Sequence, residues 1–195
     1  TSSSYFQQAL ETNEETADNS TFIGFASAML ASDDSNRVAT LGQYMDLNKL
    51  ADYMAVDYGI ANWDGITTYY CGSWGCSNHN FYMYQDEDRA HFTLIPWDLN
   101  ACLNLSHWLG NIQPWDTLDA DCSTLVPTGD GDLSTKNASC DPMIRAIALN
   151  KAAYHASVQR LLDQYFTLPR LGARIDALVA QVTPAIATDP FLSMN

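Results

Sequence analysis

The chain has 195 residues, enough for one domain with a sizeable core or a domain and an extension. An apolar fraction of 47% with 11% aromatics argues for a folded globule and against a disordered chain, and no apolar run is long enough to span a bilayer. Nine Lys and Arg against 23 Asp and Glu give a formal charge of −14, which repels phosphate backbones and anionic lipid head groups and favours cationic partners and divalent ions, when it serves more than solubility. Neither nucleic acid nor membrane insertion is expected.

The sequence opens Thr1-Ser2-Ser3-Ser4, with no initiator Met and no charged and apolar leader, so a removed upstream segment is expected. Residues 1–45 read as a helical lead-in. Ser20 or Thr21 is a candidate cap for a helix carrying Phe22, Phe25, Ala26, Met29 and Leu30 at helical spacing, broken by Asp33-Asp34-Ser35-Asn36. Asp46 is the N-cap expected for a second helix, whose buried stripe is Leu47, Leu50, Met54 and Tyr58. A loop is expected from about Asn62 to Asn78. The period then changes to alternation: Asn80 to Tyr84 and Phe92 to Trp97 read as two strands joined by the polar turn from Gln85 to Ala90. Pro96 suits the end or edge of the second strand.

Residues from about Asn111 to Asp141 are expected to be irregular, with Pro114, Pro127, Gly129 and Gly131, and a loop that long is functional or held by bridges. Asp141 caps a further helix with Pro142 in its first turn, followed by Met143, Ile144 and Ile147. Tyr154, Val158, Leu161, Leu162 and Tyr165-Phe166 make a second stripe, and Leu171, Ile175, Leu178, Val179 and Val182 a third, starting at Pro169 and ending near Pro184. The cysteines Cys71, Cys76, Cys102, Cys122 and Cys140 lie beside Gly, Ser, Asp and Thr, as disulfides of exported proteins do. Zinc is the rival reading, but there is no second close pair and no H-x3-H partner. The expected bridges are Cys71–Cys76 and Cys122–Cys140, with Cys102 left over.

The chemistry lies between Trp63 and Asn100. Asp64 opens a Gly-containing loop, Asn80 begins one strand and Asp98 ends its partner, and a hairpin brings the loops at its open end together. Two carboxylates and an amide oxygen are hard oxygen ligands suited to Mg²⁺. The order Asp, Asn, strand, turn, strand, Asp is that of protein kinases, where catalysis rests on positioning and metal-borne charge. Taken alone, solvated loop acids would account for it.

Trp63-Asp64, His79-Asn80-Phe81-Tyr82-Met83-Tyr84 and Phe92-Thr93-Leu94-Ile95-Pro96-Trp97-Asp98 resemble the CotH-type spore-coat kinase family, whose members carry an Asp, an H-N-Y-x-x-Y-like strand and an I-P-W-D-x-D hairpin end. The likeness extends over roughly residues 40 to 190, including Asp46 to Val56, Asp141 to Arg145, Ala173 to Leu178 and Asp189-Pro190. It implies an atypical protein-kinase-like fold that binds ATP with Mg²⁺ and phosphorylates protein Ser or Thr. By that resemblance Asp64 takes the catalytic-loop Asp role, Asn80 the metal-binding Asn and Asp98 the metal-binding Asp. Asn100 stands where the family writes a second Asp, which removes a charge from the metal site. The gap from Asp64 to Asn80 is wide, so the loop holding Cys71 and Cys76 is expected to bulge outward. The family's upstream β-rich region with a phosphate-contacting Lys or Arg has no counterpart; Arg37 and Lys49 lie in helical patterns.

Trp97 reads first as a core or hairpin-closing residue and, functionally, as a nucleotide-stacking platform; with Asn80 it is the candidate ATP contact. Tyr82 and Tyr84 share a face and are expected to pack. His79 is expected to orient the loop by hydrogen bonding, whereas His91, His107 and His155 carry no assignment. Asp130-Gly131-Asp132 reads as a turn, and Asn19, Asn104 and Asn137 are glycosylation sequons in a eukaryotic source only.

The expected fold is α-rich α/β, like the C-terminal lobe of a protein kinase with a β hairpin carrying the metal site and no N-terminal lobe. It is read as one unit over 1–195, with the site in 46–100, a Cys-containing loop in 101–141 and C-terminal helices in 142–190. The expected function is Mg²⁺-dependent phosphotransfer from ATP to Ser or Thr of a protein, with a basic, Ser-rich acceptor expected, outside the cytosol, at the cell surface or in a coat. The alternatives are a catalytically silent assembly or adhesion module, and a metal-binding scaffold of a secreted multidomain protein.

Overall fold

The computed structural model describes residues 3–12, 15–16, 18–73, 75–86, 91–103, 115–118, 122–128 and 132–189. The turn residues 87–90, the Asn104 sequon, His107, Pro114, Gly129 and the Asp130-Gly131 step lie outside them. Among the described residues the fold is mixed α/β, with seven α-helices and two small antiparallel sheets.

Short α1 (Ser3–Gln8) precedes α2 (Ser20–Ala31) and α3 (Arg37–Leu41). The cap of α2 is Asn19 rather than Ser20 or Thr21, and its side chain makes no capping bond. Its φ of −80° and ψ of 3° depart from the extended geometry that aims a capping oxygen at the first turn. Ser20 instead donates its N–H and hydroxyl to Asp18. Phe25 and Met29 are buried, whereas Leu30, expected on the same stripe, is exposed.

Helix α4 (Leu47–Gly59) starts as expected, with the Asp46 carboxylate accepting from the N–H groups of Asn48 and Lys49 at 2.9 and 3.2 Å. The hairpin is β3 (Phe81–Gln85) and β4 (Phe92–Pro96), in a register pairing Phe81 with Pro96 and Tyr82 with Ile95. Alternation sorts its faces. Phe92 and Leu94 enter the core with Phe81 and Met83 against them, and Phe92 meets the rings of Phe22 and Phe25 at 5.8 and 5.3 Å. The N–H of Phe92 also donates to the Tyr44 carbonyl, stitching the hairpin to the segment that enters α4.

A second sheet, absent from the sequence expectation, occupies both segments read as irregular. Its order is β2-β1-β6-β5, with β1 (Tyr69–Gly72), β2 (Gly75–Ser77), β5 (Val126–Pro127) and β6 (Ser134–Lys136). The Cys71–Cys76 bridge spans β1 and β2, and Tyr70 and Cys71 are buried. This part of the long segment therefore does not bulge outward; pairing with β6 holds it against the fold. The second bridge joins Cys122 to Cys140, and Cys102 is a free thiol, as the sequence led us to expect.

Asp141 caps α5 (Pro142–Leu149) through the N–H groups of Met143 and Ile144. The guanidinium of Arg145 grips the Asp34 carboxylate with two bonds of 2.6 Å and ties α5 to the α2–α3 turn. Helix α6 (Lys151–Gln164) lies on α4, with Tyr154 and Leu161 buried and Tyr154 edge-on to fully buried Trp115. Leu162 and Tyr165, expected in this stripe, are exposed. Helix α7 (Leu168–Ile186) ends two residues beyond Pro184, near where it was expected to, and none of its residues is buried. Its apolar stripe faces outward because no other described element covers it.

Candidate functional site

The hairpin's open end is built by two backbone reversals. The N–H of Trp97 donates to the Asn80 carbonyl at 3.0 Å, closing the ladder one pair beyond Phe81 and Pro96. At that point both chains turn away through left-handed residues, Asn80 with φ 56° and Asp98 with φ 46°. Asn and Asp enter that region more readily than other side-chain-bearing residues, since their short polar groups bond locally.

Asn80 is the hub. Its Nδ2 donates to Oδ2 of Asp64 at 2.7 Å and lies 3.5 Å from the Asp98 carbonyl. With the amide nitrogen so engaged, Oδ1 is the atom Asn80 has left to offer a cation. Asp64 is half-buried and Asp98 exposed, so the cluster faces solvent from one side. Asn100 follows in the short 3-10 turn Leu99–Ala101, exposed and without a hydrogen bond to the other three. Beyond it the N–H of Leu103 donates to the Ile60 carbonyl at 2.8 Å, returning the post-hairpin segment to the end of α4 and hence to the loop that carries Asp64.

Trp97 is 57% exposed, which overturns the core reading; its ring lies 5.3 Å from that of Tyr82. Tyr84 and Ile95 are exposed too, so this hairpin face presents an apolar ledge beside the acids rather than a packed surface. The expectation that Tyr84 packs is corrected likewise: among the described residues nothing is laid over the side of the ladder opposite Phe92 and Leu94. Behind the site, Tyr70 donates its hydroxyl to the Trp63 carbonyl at 2.7 Å, and the His79 ring packs 5.3 Å from Tyr70 with Nε2 3.4 Å from the Ser77 hydroxyl. Asn78 Nδ2 donates to the Ile66 carbonyl at 2.8 Å, joining the Asp64 loop to the approach of β3.

Sequence reasoning passed over Asp57. It is 4% exposed, at the end of α4, inside the turn that leads to Asp64. Asn62 Nδ2 donates to one carboxylate oxygen at 2.7 Å, while the Thr67 hydroxyl and N–H donate to the other at 3.0 and 3.3 Å. Burial nevertheless pushes its carboxyl above the ordinary range, the three donors pulling the other way. A signal was available: Asp57 lies seven residues beyond Leu50 on the buried stripe of α4, where a charge needs partners.

Among the described residues no three His, Cys, Asp or Glu side chains group together, and the side-chain donors at the hairpin's open end are carboxylate and amide oxygens. Those hard donors fit Mg²⁺ and do not fit zinc or copper. The family model for CotH kinase protein matches residues 1–194. The chain belongs to the CotH kinase protein family. The match also takes in the helical lead-in, which the motif likeness had left outside. CotH membership points to a kinase-like fold and a kinase-like function. No curated protein and no solved structure matches the chain. The two disulfides accord with an extracellular or coat protein, and no described helix is long and apolar enough to cross a membrane.

Proposed function

We propose that this CotH-family chain carries the acceptor- and metal-handling site of an atypical protein kinase that transfers the γ-phosphoryl group of ATP to a Ser or Thr hydroxyl of a protein. The observation that carries this reading is the Asn80 side chain bonded to Asp64 and adjoining Asp98 at the open end of the hairpin. Asp98, Asn80 Oδ1 and Asn100 are the residues that would hold Mg²⁺, which supplies charge neutralisation on the phosphates when bound. Asp64, oriented by the Asn80 amide, positions the acceptor hydroxyl and takes its proton as the new P–O bond forms and ADP leaves with the old one. Exposed Trp97, braced by Tyr82, offers a stacking face for the nucleotide base. The charge of −14 supports a basic acceptor, and the disulfides support action in an oxidising compartment, at a surface or in a coat.

The test is transfer of radiolabel from γ-labelled ATP to a basic Ser-rich protein in Mg²⁺. Asp64→Asn and Asp98→Asn keep shape and the left-handed backbone at 98, and each is expected to lower kcat by about 10²–10⁴-fold. Trp97→Ala is expected to raise KM for ATP with a smaller effect on kcat. Label transfer that survives Asp98→Asn unchanged would sink the reading. Asn100, an amide where the family pattern has an acid, favours a second reading, a catalytically silent surface or assembly module. Its distinguishing result is Mn²⁺ binding without any transfer.

A further inference from the structure

The loop that carries Asp64 is wound around a buried carboxylate. From Asn62 to Thr67 the chain leaves α4, presents Asp64 and returns, and both ends of this excursion donate to Asp57. Asn62 also donates its N–H to the Asp57 carbonyl at 3.1 Å, so side chain and backbone of one residue fix the loop's first position. Gly65 lies against the same group. A Cβ there would stand 2.3 and 2.7 Å from the two carboxylate oxygens and 2.5 Å from Asn62 Nδ2, so no larger residue fits without pushing the carboxylate aside. Within the loop, Gly65 donates to the Asn62 carbonyl and Thr68 to the Gly65 carbonyl, each at 3.2 Å. A buried charge is retained only where bonds offset its desolvation, and an uncharged residue in this place would be cheaper for folding alone.

We propose that Asp57 is a positioning residue: it sets the conformation of the loop 62–67 and thereby holds Asp64 in register with Asn80 and Asp98. The catalytic part of this inference rests on the phosphotransfer reading above; the structural part does not. The mechanism is local. Asp57 touches neither Asp64 nor the hairpin in any bond described above, and it acts through the two ends of the loop. Replacing it with Asn turns one acceptor oxygen into an NH₂ group facing donors, so the loop loses at least one end while the volume is unchanged.

The experiment is amide hydrogen exchange on the full chain for Asp57→Asn, with Leu161→Ala as a variant that weakens the α4–α6 packing beside Gly59 without removing a donor or acceptor of the loop. In Asp57→Asn the amides of residues 62–68 are expected to exchange about tenfold faster or more while those of α5 hold their protection, and in Leu161→Ala both are expected to change together. Exchange in Asp57→Asn that rises no more in 62–68 than in α5 overturns the proposal. Should Asp57→Asn fail to fold, Thr67→Val removes only the hydroxyl donor and is expected to give the same local pattern at smaller amplitude; uniform exchange there overturns it equally. In the labelling assay Asp57→Asn is expected to lower kcat at least about tenfold with KM for ATP within about twofold, the mark of a displaced Asp64 rather than a lost nucleotide site. A wild-type chain that transfers no label removes the kinase reading and leaves the exchange result to decide the loop.

Discussion

Asp57 and Asp34 are carboxylates with opposite electrostatic fates, and pH separates them. Burial raises the Asp57 carboxyl above its ordinary value of 3.8, whereas the hydrogen bond from Arg145 lowers that of Asp34 below the same value. A raised carboxyl binds its proton more tightly in the folded than in the unfolded chain. Its stabilising contribution is therefore complete below 3.8 and declines as pH rises through the folded value. For Asp34 the sign reverses: the contribution is present above 3.8 and is lost as pH falls through the lowered value. Urea unfolding followed by circular dichroism should show wild type losing its margin over Asp57→Asn as pH rises from about 4, and losing its margin over Asp34→Asn on acidification. Parallel slopes for the two variants would refute both assignments. The residues that named the family, Asp64, Asn80, Trp97 and Asp98, were legible because they sit in a motif. Asp57 was not, because its partners Asn62 and Thr67 become neighbours only once the chain curls back on the helix end. Trp97 was misread toward the core because composition cannot say which side of a two-stranded ladder is left uncovered.

At the level of elements, capped helices were the easiest to read. Asp46 and Asp141 each sit directly before a periodic apolar segment, and each accepts two backbone N–H groups. The β3–β4 hairpin was legible for a similar reason, five paired residues on each side being long enough to alternate. Strands β1, β2, β5 and β6 are two to four residues long, too short for a period, and β1 finds β6 across a long stretch of chain. No local rule reports that pairing. The two bridges nonetheless brace this sheet and its approach, and they close loops of different size, with sequence separations of 5 and 18. Loop-closure entropy assigns about 2 kcal/mol to the first and about 3 kcal/mol to the second. Paired Cys→Ser replacement at 122 and 140 is expected to lower the unfolding free energy more than the same replacement at 71 and 76; equal losses would argue against an entropic origin.

For the whole molecule, the apolar periodicity of α7 shows how far such a pattern goes: it announced a helix and an apolar face, but nothing in it says what lies opposite. Leu171, Ile175, Leu178, Val179 and Val182 are all exposed, and the contacts that anchor the helix start are Arg170 to the Gln164 carbonyl and over the Tyr165 ring, both at the surface. A chain ending after Thr167 should thus unfold within about 1 kcal/mol of the full chain, as measured by urea titration. A larger loss would show that α7 covers part of the core. The interior proper is held elsewhere, by Leu50, Met54, Ile144, Ile147, Trp115 and Tyr154. The open end of the hairpin has a different consequence. Asn80 and Asp98 occupy the mirror-image side of backbone space, where glycine would relieve about 1 kcal/mol at each position. On the phosphotransfer reading proposed above, thermodynamic economy and chemistry pull these two codons apart. A lineage released from the need to react would be expected to drift toward glycine at 80 and 98 before its interior changed, leaving a sturdier but inert descendant.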